Sequence, residues 1–550
     1  MQDIANRLKN TGDTLFNKKS EWDELCQEIA EHFHPLRADF TTSFNLGTDF
    51  QTDLMESTGV QARETLGNAP NAMLRQGNWF RAHTGIETID DVPTNEKWLE
   101  KATKRFRQAL YDRRANFVGA TIEADHDWVT FGNPVLCVQT DSGREHLIFK
   151  AYHPRDCAWM ENERGEVDHL HRKAPMTARA IMKRYPKTAH DTVKQLATED
   201  GSKHVQVRQV VLPVDELNYD KDDRRKKFGD NEFASIYIDC DNSVVLSESG
   251  LKRFNFVVPR ARRAGRFPQG FSPMTVVALP DSRSLQVVTE TLLETGEKAV
   301  DTPILGNANV FRDNLNFYAG GFTSVDLGEG TKLSDQVMQL PPSGDFNVGL
   351  RMQEDYRRMI HEAFLLNKLF LPNVREMTAF ETAQRMEEFR RAALPFFGPI
   401  EAEYHSPLLD VSFDMALELG IFKDLISEMP DELQDVDVIF DFESPLREVD
   451  GAKNLAAFKE GLQITAAAAQ VDQSVTKSID WSKAYDDAMR GAGAKAEWFS
   501  DEDQVQDDKQ ADKALQAIEQ AAVLANSGAQ VTQNVAEAEM AAQEAGLNAA

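Results

Sequence analysis

The stretch that decides how this chain reads is Phe346 to Leu419, which opens FNVGLRMQEDYRRMIHEAFLL and closes SPLLDVSFDMALEL. It spells helix, tight loop, longer helix. Met352, Tyr356, Met359, Ile360, Ala363 and Phe364 fall at i, i+4, i+7, i+8, i+11 and i+12, the apolar stripe of one helix face, with Glu354, Arg357, Arg358 and Glu362 off that stripe. Leu371-Pro372-Asn373 stops the helix, because a proline bars the preceding residue from the helical region and brings no N–H. The chain restarts at Met377-Thr378-Ala379-Phe380-Glu381, a capping box in which Thr378 caps free N–H groups and Glu381 reaches back to the cap. The helix-rich run that follows would span roughly 60 Å if continuous. Pro395, Pro399 and Pro407 each remove a ladder donor, so a kinked helix, or two or three in series, is expected.

Working outward, the partner of the first helix lies upstream. Ser272-Pro273 fits the N-cap and N1 positions, and Leu285, Val288, Leu292 and Ala299 recur at helical spacing. Between the two helices sits an insert, Asp301 to Asp345, rich in Gly, Asn and Asp. The order is helix, small irregular module, returning helix, short loop, long kinked helix.

The residues Gln269-Gly270-Phe271-Ser272-Pro273 and Leu279-Pro280-Asp281 precede or open the first helix, and Val300-Asp301-Thr302-Pro303-Ile304-Leu305 follows it. With Glu376-Met377-Thr378-Ala379, Glu381 and Arg385 at the restart, they make a sequence that resembles the portal, or head-to-tail connector, proteins of T7-like short-tailed bacteriophages. Weaker matches extend the resemblance over most of residues 1 to 500. It implies an α+β, portal-type fold: a wing over 1–270, helical and then β-rich; stem helices over 271–300 and 346–370; a small α/β clip over 301–345; and a channel loop over 371–377. A long kinked wing helix over 378–420, further wing or crown over 421–500 and an Ala/Gln-rich helical crown or tail over 501–550 complete it.

The same resemblance implies a structural, non-enzymatic role as a dodecameric ring at the portal vertex of the virion, made in the host cytoplasm. That ring would conduct double-stranded DNA during packaging and ejection. It would dock the terminase large subunit and a tail adaptor protein, with major capsid and scaffolding proteins as neighbours and no cofactor. The loop residues Leu371, Pro372, Asn373, Val374, Arg375 and Glu376, with Lys368 before them, would face the channel. Lys368 and Arg375 are the possible DNA contacts, although Arg375 equally suits a pair with Glu376 or Glu381 that fixes the helix restart. In the clip, Phe311, Leu315, Phe317, Tyr318 and Phe322 stand among glycines, too few for an independent core, so partners are expected to cover them.

A chain of 550 residues exceeds one core and should divide into domains. A formal charge of −28 argues against a protein that grips nucleic acid over a broad surface, and suits a conduit better than a clamp. Cys26, Cys137, Cys157 and Cys240 are scattered without a C-x-x-C pair, so neither a disulfide framework nor a zinc module is expected. The N-terminus lacks the apolar core of a signal peptide, and no run approaches the roughly 20 apolar residues of a membrane span.

Along the chain, helices are expected around Trp22–Phe33, Val60–Gln76, Asn95–Arg113 and Phe117–Phe131, then hairpins Val135–Gln139 with Leu147–Tyr152 and Cys157–Glu161 with Val167–Arg172. Thr177 caps a short helix. Strands return at His204–Val214, Glu232–Cys240 and Val244–Val258, and the charge run Asp220–Lys227 reads as a solvated loop tip. His32 and His34 diverge on a helix, and His169 and His171 share a strand face without a carboxylate or cysteine at ligand spacing, so they read as surface histidines. Lys252, Arg253, Arg260, Arg262, Arg263 and Arg266 form the densest positive patch, suited to an acidic neighbouring subunit or, less well, to DNA phosphate. A strand at Val436–Phe442 and helices at Leu446–Ala469, Leu515–Leu524 and Val531–Met540 close the chain.

No G-x-x-x-x-G-K-[ST], G-x-S-x-G or H-E-x-x-H occurs, so no ATP-driven motor of the Walker kind and no familiar hydrolase is written here. Two other readings remain: a non-portal virion protein, such as a tail adaptor or internal protein, and a metal-dependent nuclease built from scattered carboxylates.

Overall fold

The computed structural model describes residues 2–43, 54–90, 92–141, 143, 145–217, 219, 221–265, 267–300, 304–306, 337–339, 346–369, 391, 395–434, 436–442 and 458–466, with 479, 481, 484–485 and 488–489. Helices and antiparallel sheets are mixed, which is the α+β class. The chain separates into two compact units, one of Met1–Trp79, Phe106–Ile421 and Ser444–Leu446, the other of Phe80–Arg105, Phe422–Glu443 and Arg447–Ala550.

The first unit opens on helices α1 (Gln2–Lys18), α2 (Ser20–Phe33), α3 (Thr58–Leu74) and α4 (Phe117–Phe131). Helix α2 buries Trp22, Cys26, Ile29, Ala30 and Phe33, one stripe at helical spacing, and stops before Pro35. Helix α4 is buried on nearly every side and ends at Gly132, whose φ of +79° is left-handed. A Cβ there would stand 2.4 Å from the backbone carbon of Phe271 and 2.5 Å from the nitrogen of Ser272, so only glycine lets the two chain segments touch.

From Val135 the period changes to two. Strands β1 (Val135–Thr140) and β2 (Leu147–Tyr152) form the expected hairpin, and so do β3 (Cys157–Glu161) and β4 (Val167–Lys173). Helices α5 (Ala178–Arg184) and α6 (Asp191–Glu199) follow, with Thr177 accepting from the Ala180 N–H at 3.3 Å. Strand β5 (Val207–Pro213), helix α7 (Lys221–Phe228), and strands β6 (Phe233–Asp239), β7 (Val244–Leu251) and β8 (Phe256–Val257) complete the β-rich part. One antiparallel sheet runs β7-β6-β5-β4-β3 and a second runs β8-β1-β2. Alternation sorts the faces: Val210, Leu212, Ile236 and Ile238 meet Ala5 and Leu8 of α1, while Val211, Leu170 and Trp159 meet Val135, Cys137 and Phe256.

Four expectations are corrected here. The charge run is a helix: Asp222 and Asp223 lie in its first turn, Arg225, Lys226 and Lys227 in its last, and buried Phe228 anchors it. The single strands expected over Val244–Val258 and His204–Val214 are each two, in different sheets: β7 and β8 in the first, and in the second β5 and the pair His204–Val205, which joins Met176–Thr177. His169 and His171 are buried, not surface residues. Their Nε2 atoms are 2.9 Å apart, and His169 Nδ1 lies 3.1 Å from Glu216.

Downstream, α8 (Pro273–Val300) and α9 (Phe346–Ala363) are the two helices read first. Helix α9 ends sooner than expected, because Leu365 adopts a left-handed φ of +56° before a short turn of helix at Leu366–Leu369. Residues 395–400 are helical, Glu401–His405 is a π-turn and α10 (Ser406–Glu418) continues. Pro407 cannot donate, and the Ser406 N–H reaches back five residues to the Glu401 carbonyl, so the expected kink is a π-turn set by this proline.

That turn buries Tyr404 and His405 completely. Arg75 donates to Asp125 at 3.0 Å and to His405 Nε2 at 3.1 Å, and the Tyr404 hydroxyl donates to the Thr121 carbonyl at 3.4 Å. Helices α3 and α4 and the π-turn are thereby joined by one buried polar cluster.

In the second unit, Phe80–His83 pairs antiparallel with Ile439–Phe442, the latter within the strand expected at Val436–Phe442. Trp98 Nε1 donates to the Leu425 carbonyl at 2.9 Å and Asn95 to Glu432 at 2.8 Å. Residues 458–466 are helical, within the helix expected there. The expected helices beyond residue 500 lie outside the described residues.

Burial pushes the His405 and His171 imidazoles well below their ordinary range, with the Arg75 charge adding to the effect at His405, and His169 and the Arg208 charge adding to it at His171. Both stay neutral when folded and take a proton near pH 6.5 when unfolded, so stability is present above pH 6.5 and is lost as pH falls below it. Burial raises Asp125 to about 6, which acts in the opposite sense, but only below about that pH. His34, lowered to about 2 chiefly by burial, acts in the same sense as the other two histidines, so the expected net loss between pH 7.5 and pH 5.5 is about 3 kcal/mol. Denaturant titrations at the two values check it; equal or greater stability at the acid value would contradict it.

Candidate functional site

Helices α8 and α9 make an antiparallel hairpin whose two ends differ in burial. Gln353 Nε2 donates to Thr289 Oγ1 at 2.9 Å, and a Cβ on Gly349 would stand 2.6 Å from a Leu292 methyl, which fixes both register and close approach. In the insert, Ile304–Gly306 pairs antiparallel with Val337–Gln339, Ile304 opposite Gln339. Among the described residues of the insert, these two segments make a short two-stranded ribbon.

The root is held by specific contacts. Ser272 Oγ donates to the Val129 carbonyl and Thr275 Oγ1 to the Thr130 carbonyl at 2.8 Å, locking the start of α8 to the end of α4. Gln286 accepts from the Met55 N–H at 2.8 Å and the Glu56 N–H at 3.0 Å and donates to the Glu56 carbonyl at 2.9 Å. Arg357 Nε reaches the Glu56 carboxylate at 3.1 Å, so Glu56 ties both helices together. Phe33 and Phe364 rings sit 5.4 Å apart.

Beyond that root the apolar surface is uncovered. Buried residues of α8 end at Thr289, and Ile360 is the buried residue of α9. Val348, Met352 and Met359, at i, i+4 and i+11 on α9, are 54%, 42% and 43% exposed, and Val287 and Leu293 on α8 are 61% and 55% exposed. Of the stripe read from sequence, only Ile360 and Phe364 are buried within the chain. A helix face of this kind in water needs a covering partner, and each such side chain would contribute about 1 kcal/mol on burial.

Four of the six residues of the positive patch are paired inside the chain. Arg260 is buried, paired with Glu161, 2.9 Å from the Gly165 carbonyl and 3.8 Å from Glu403. Arg263 pairs with Glu403 at 3.4 Å, Lys252 with Glu418 at 3.2 Å and Arg253 with Asp414. Arg262 is exposed, and Arg266 lies outside the described residues. Also outside are Phe311, Leu315, Phe317, Tyr318 and Phe322 of the insert, the loop residues Leu371 to Glu376, the capping residues Thr378 and Glu381, and the side chain of Lys368.

Sequence reasoning missed the Glu56 tie and the Arg75–Asp125–His405 cluster. A signal for the second was present, since Asp125 and Asp127 interrupt the otherwise apolar α4. A shallow cleft beside α9 is lined by Glu354, Arg357, Arg358, His361, Glu362, Leu366 and Asn367. It sets cations against carboxylates and holds no hydroxyl or thiol nucleophile. Among the described residues no group of three His, Cys, Asp or Glu side chains is placed to hold a metal ion, and no helix is long and apolar enough to cross a membrane. All four cysteines are buried and free.

Residues 5–499 match the family described as bacteriophage head to tail connecting protein. The chain is 20% identical over 533 residues to the portal protein of Salmonella phage epsilon15, covering 95% of this chain and 94% of that protein. It is 23% identical over 548 residues to a probable portal protein of Bordetella phage BPP-1, covering 96% and 95%.

If the uncovered stripe on α9 is an assembly face, Met352→Asp with Met359→Asp should leave the thermal midpoint of the isolated chain within a few degrees of wild type, because both side chains face solvent there. The same variant should abolish self-association in sedimentation velocity. Self-association equal to wild type would remove the stripe from the interface.

Proposed function

The chain belongs to the bacteriophage head-to-tail connecting protein family and serves as a phage portal, and from that premise we propose that its copies close into a ring through the α8–α9 hairpin. The uncovered apolar stripe of that hairpin is the observation that carries the proposal. A hairpin rooted at one end and bare along the other buries its faces most simply against identical hairpins, and a heterologous contact repeated by rotation closes a ring. Resemblance to T7-like portals makes the count twelve.

In this proposal the ring surrounds a channel for double-stranded DNA at the head–tail junction. The ribbon and insert beyond the hairpin form the clip on which a terminase large subunit and then a tail adaptor dock, while the rest of the first unit, as the wing, faces major capsid and scaffolding proteins. The chain acts as a structural conduit rather than an enzyme. Its charge of −28 supports that reading, because a wall that repels DNA weakly lets it slide.

Mass measurement and negative-stain imaging of the assembled protein test the ring: closed rings with a central hole are expected, and a monomer at high protein concentration would refute it. The loop after α9 is the proposed channel constriction, with Lys368 and Arg375 its DNA contacts. Lys368→Gln with Arg375→Gln should leave rings intact while lowering the DNA content of filled heads. Normal genome content would withdraw the loop charges from DNA contact without touching the ring.

A further inference from the structure

Four of the six residues of the basic cluster densest in sequence are paired within the subunit, whereas a second cluster keeps three exposed cations. Residues 169–190 hold six Lys and Arg and no Asp or Glu, in a chain with 89 acidic residues. Three of the six are engaged by neighbours on the sheet and α1: Arg172 donates to Gln209 at 2.9 Å, Lys173 lies 4.2 Å from the Phe16 ring centre, and Arg184 stacks 5.1 Å from that of Tyr237. Arg179, Lys183 and Lys187 are exposed, with no ion-pair partner among the described residues. Arg179 and Lys183 are one turn apart on α5 and Lys187 lies just past its end, giving a short basic ridge along the chain.

The ridge is held in place. Ile181 of α5 is fully buried among Val193, Val205, Val207 and Leu246, Thr177 caps the helix, and Thr188 Oγ1 donates to the Leu246 carbonyl at 2.6 Å. A complementary surface exists on the same molecule. Helix α2, SEWDELCQEIAEHF, has five acidic residues and no Lys or Arg. Asp23 is taken by Lys19 and Glu28 by Arg283, while Glu21 and Glu24 are exposed and without an ion-pair partner among the described residues.

We propose that the Arg179–Lys183–Lys187 ridge of one copy docks on Glu21 and Glu24 of a second copy, a heterologous contact that sets the rotation between neighbours in the ring. This rests on the ring reading above and extends it to a surface outside the hairpin. Three charges on one short ridge displace few counterions from DNA, and the surrounding chain of −28 repels a polyanion. Within a ring, by contrast, a neighbouring copy is held at high effective concentration, where weak exposed pairs add up.

The test is charge reversal and rescue in the full chain. Arg179→Glu, Lys183→Glu and Lys187→Glu together should raise the concentration for half-assembly about tenfold at low salt, and far less at high salt. Adding Glu21→Lys and Glu24→Lys should restore assembly. The Gln triple variant, which removes charge without reversing it, should shift assembly in the same direction by less, and serves if the reversal disturbs folding by circular dichroism. Wild-type and variant rings forming at one concentration would overturn the contact alone, whereas absence of wild-type rings would overturn the ring reading and the contact with it. If labelled duplex DNA binds the wild type and not the triple variant while both assemble alike, the ridge belongs to nucleic acid and the proposal fails.

Discussion

The pairing of Arg75 with Asp125 under His405 is the interaction on which the helical core of the first unit depends. Three segments far apart in sequence meet there: the end of α3, the middle of α4 and the π-turn before α10. Taking an arginine and an aspartate out of water is costly, and the cost is offset here by two contacts between them, a neutral imidazole that accepts a further N–H, and the Trp79 ring 5.1 Å from His405. Removal of one partner would leave the other charge buried alone, which costs about 3–5 kcal/mol. The π-turn follows from this requirement and from Pro407 together. The proline opens the helix, and the opened turn presents Tyr404 and His405 side by side to α4.

Charge is used locally in this chain, against the background of its bulk value of −28. The six-residue basic patch around Arg260 stands out in sequence because its segment has no acid within it. Folding brings Glu161 from β3, Glu403 from the π-turn, and Asp414 and Glu418 from α10 to meet it. These acids fasten the loop before α8 to the structure around it. Trp22 and Trp159 reinforce the same loop by donating to the Gly270 and Pro268 carbonyls at 3.2 Å and 3.0 Å.

Periodic segments were legible because one face of each is buried inside the chain. Helix α4 coincides with the expected Phe117–Phe131 at both ends, where Asn116 and Gly132 adopt left-handed backbone. Both early hairpins were read for the same reason, alternation plus turn residues. What could not be read depends on partners distant in sequence. His169 and His171 read as surface residues because nothing near them in sequence shows that α1 covers that sheet face. The run Asp220–Lys227 read as loop because charge counting ignores order, whereas acids in the first turn and bases in the last favour a helix. At the hairpin the pattern was legible and its burial was not: Met352 and Met359 obey the helical period, yet the chain that folds around Ile360 and Phe364 leaves them bare.

That last mismatch orders the structure's stability. The root of the hairpin is part of the unit's core, with Leu285 fully buried and Glu56 tied to both helices. Towards Val300 and Phe346 each successive turn buries less, and the contacts left are those between the two helices themselves. An isolated pair of helices is marginal in water, so this far half draws its stability from whatever covers its outer faces. A subunit built this way is firm where it folds alone and adaptable where it meets neighbours. Its hairpin can therefore be ordered by association, which couples the shape of the proposed channel wall to completion of the assembly around it.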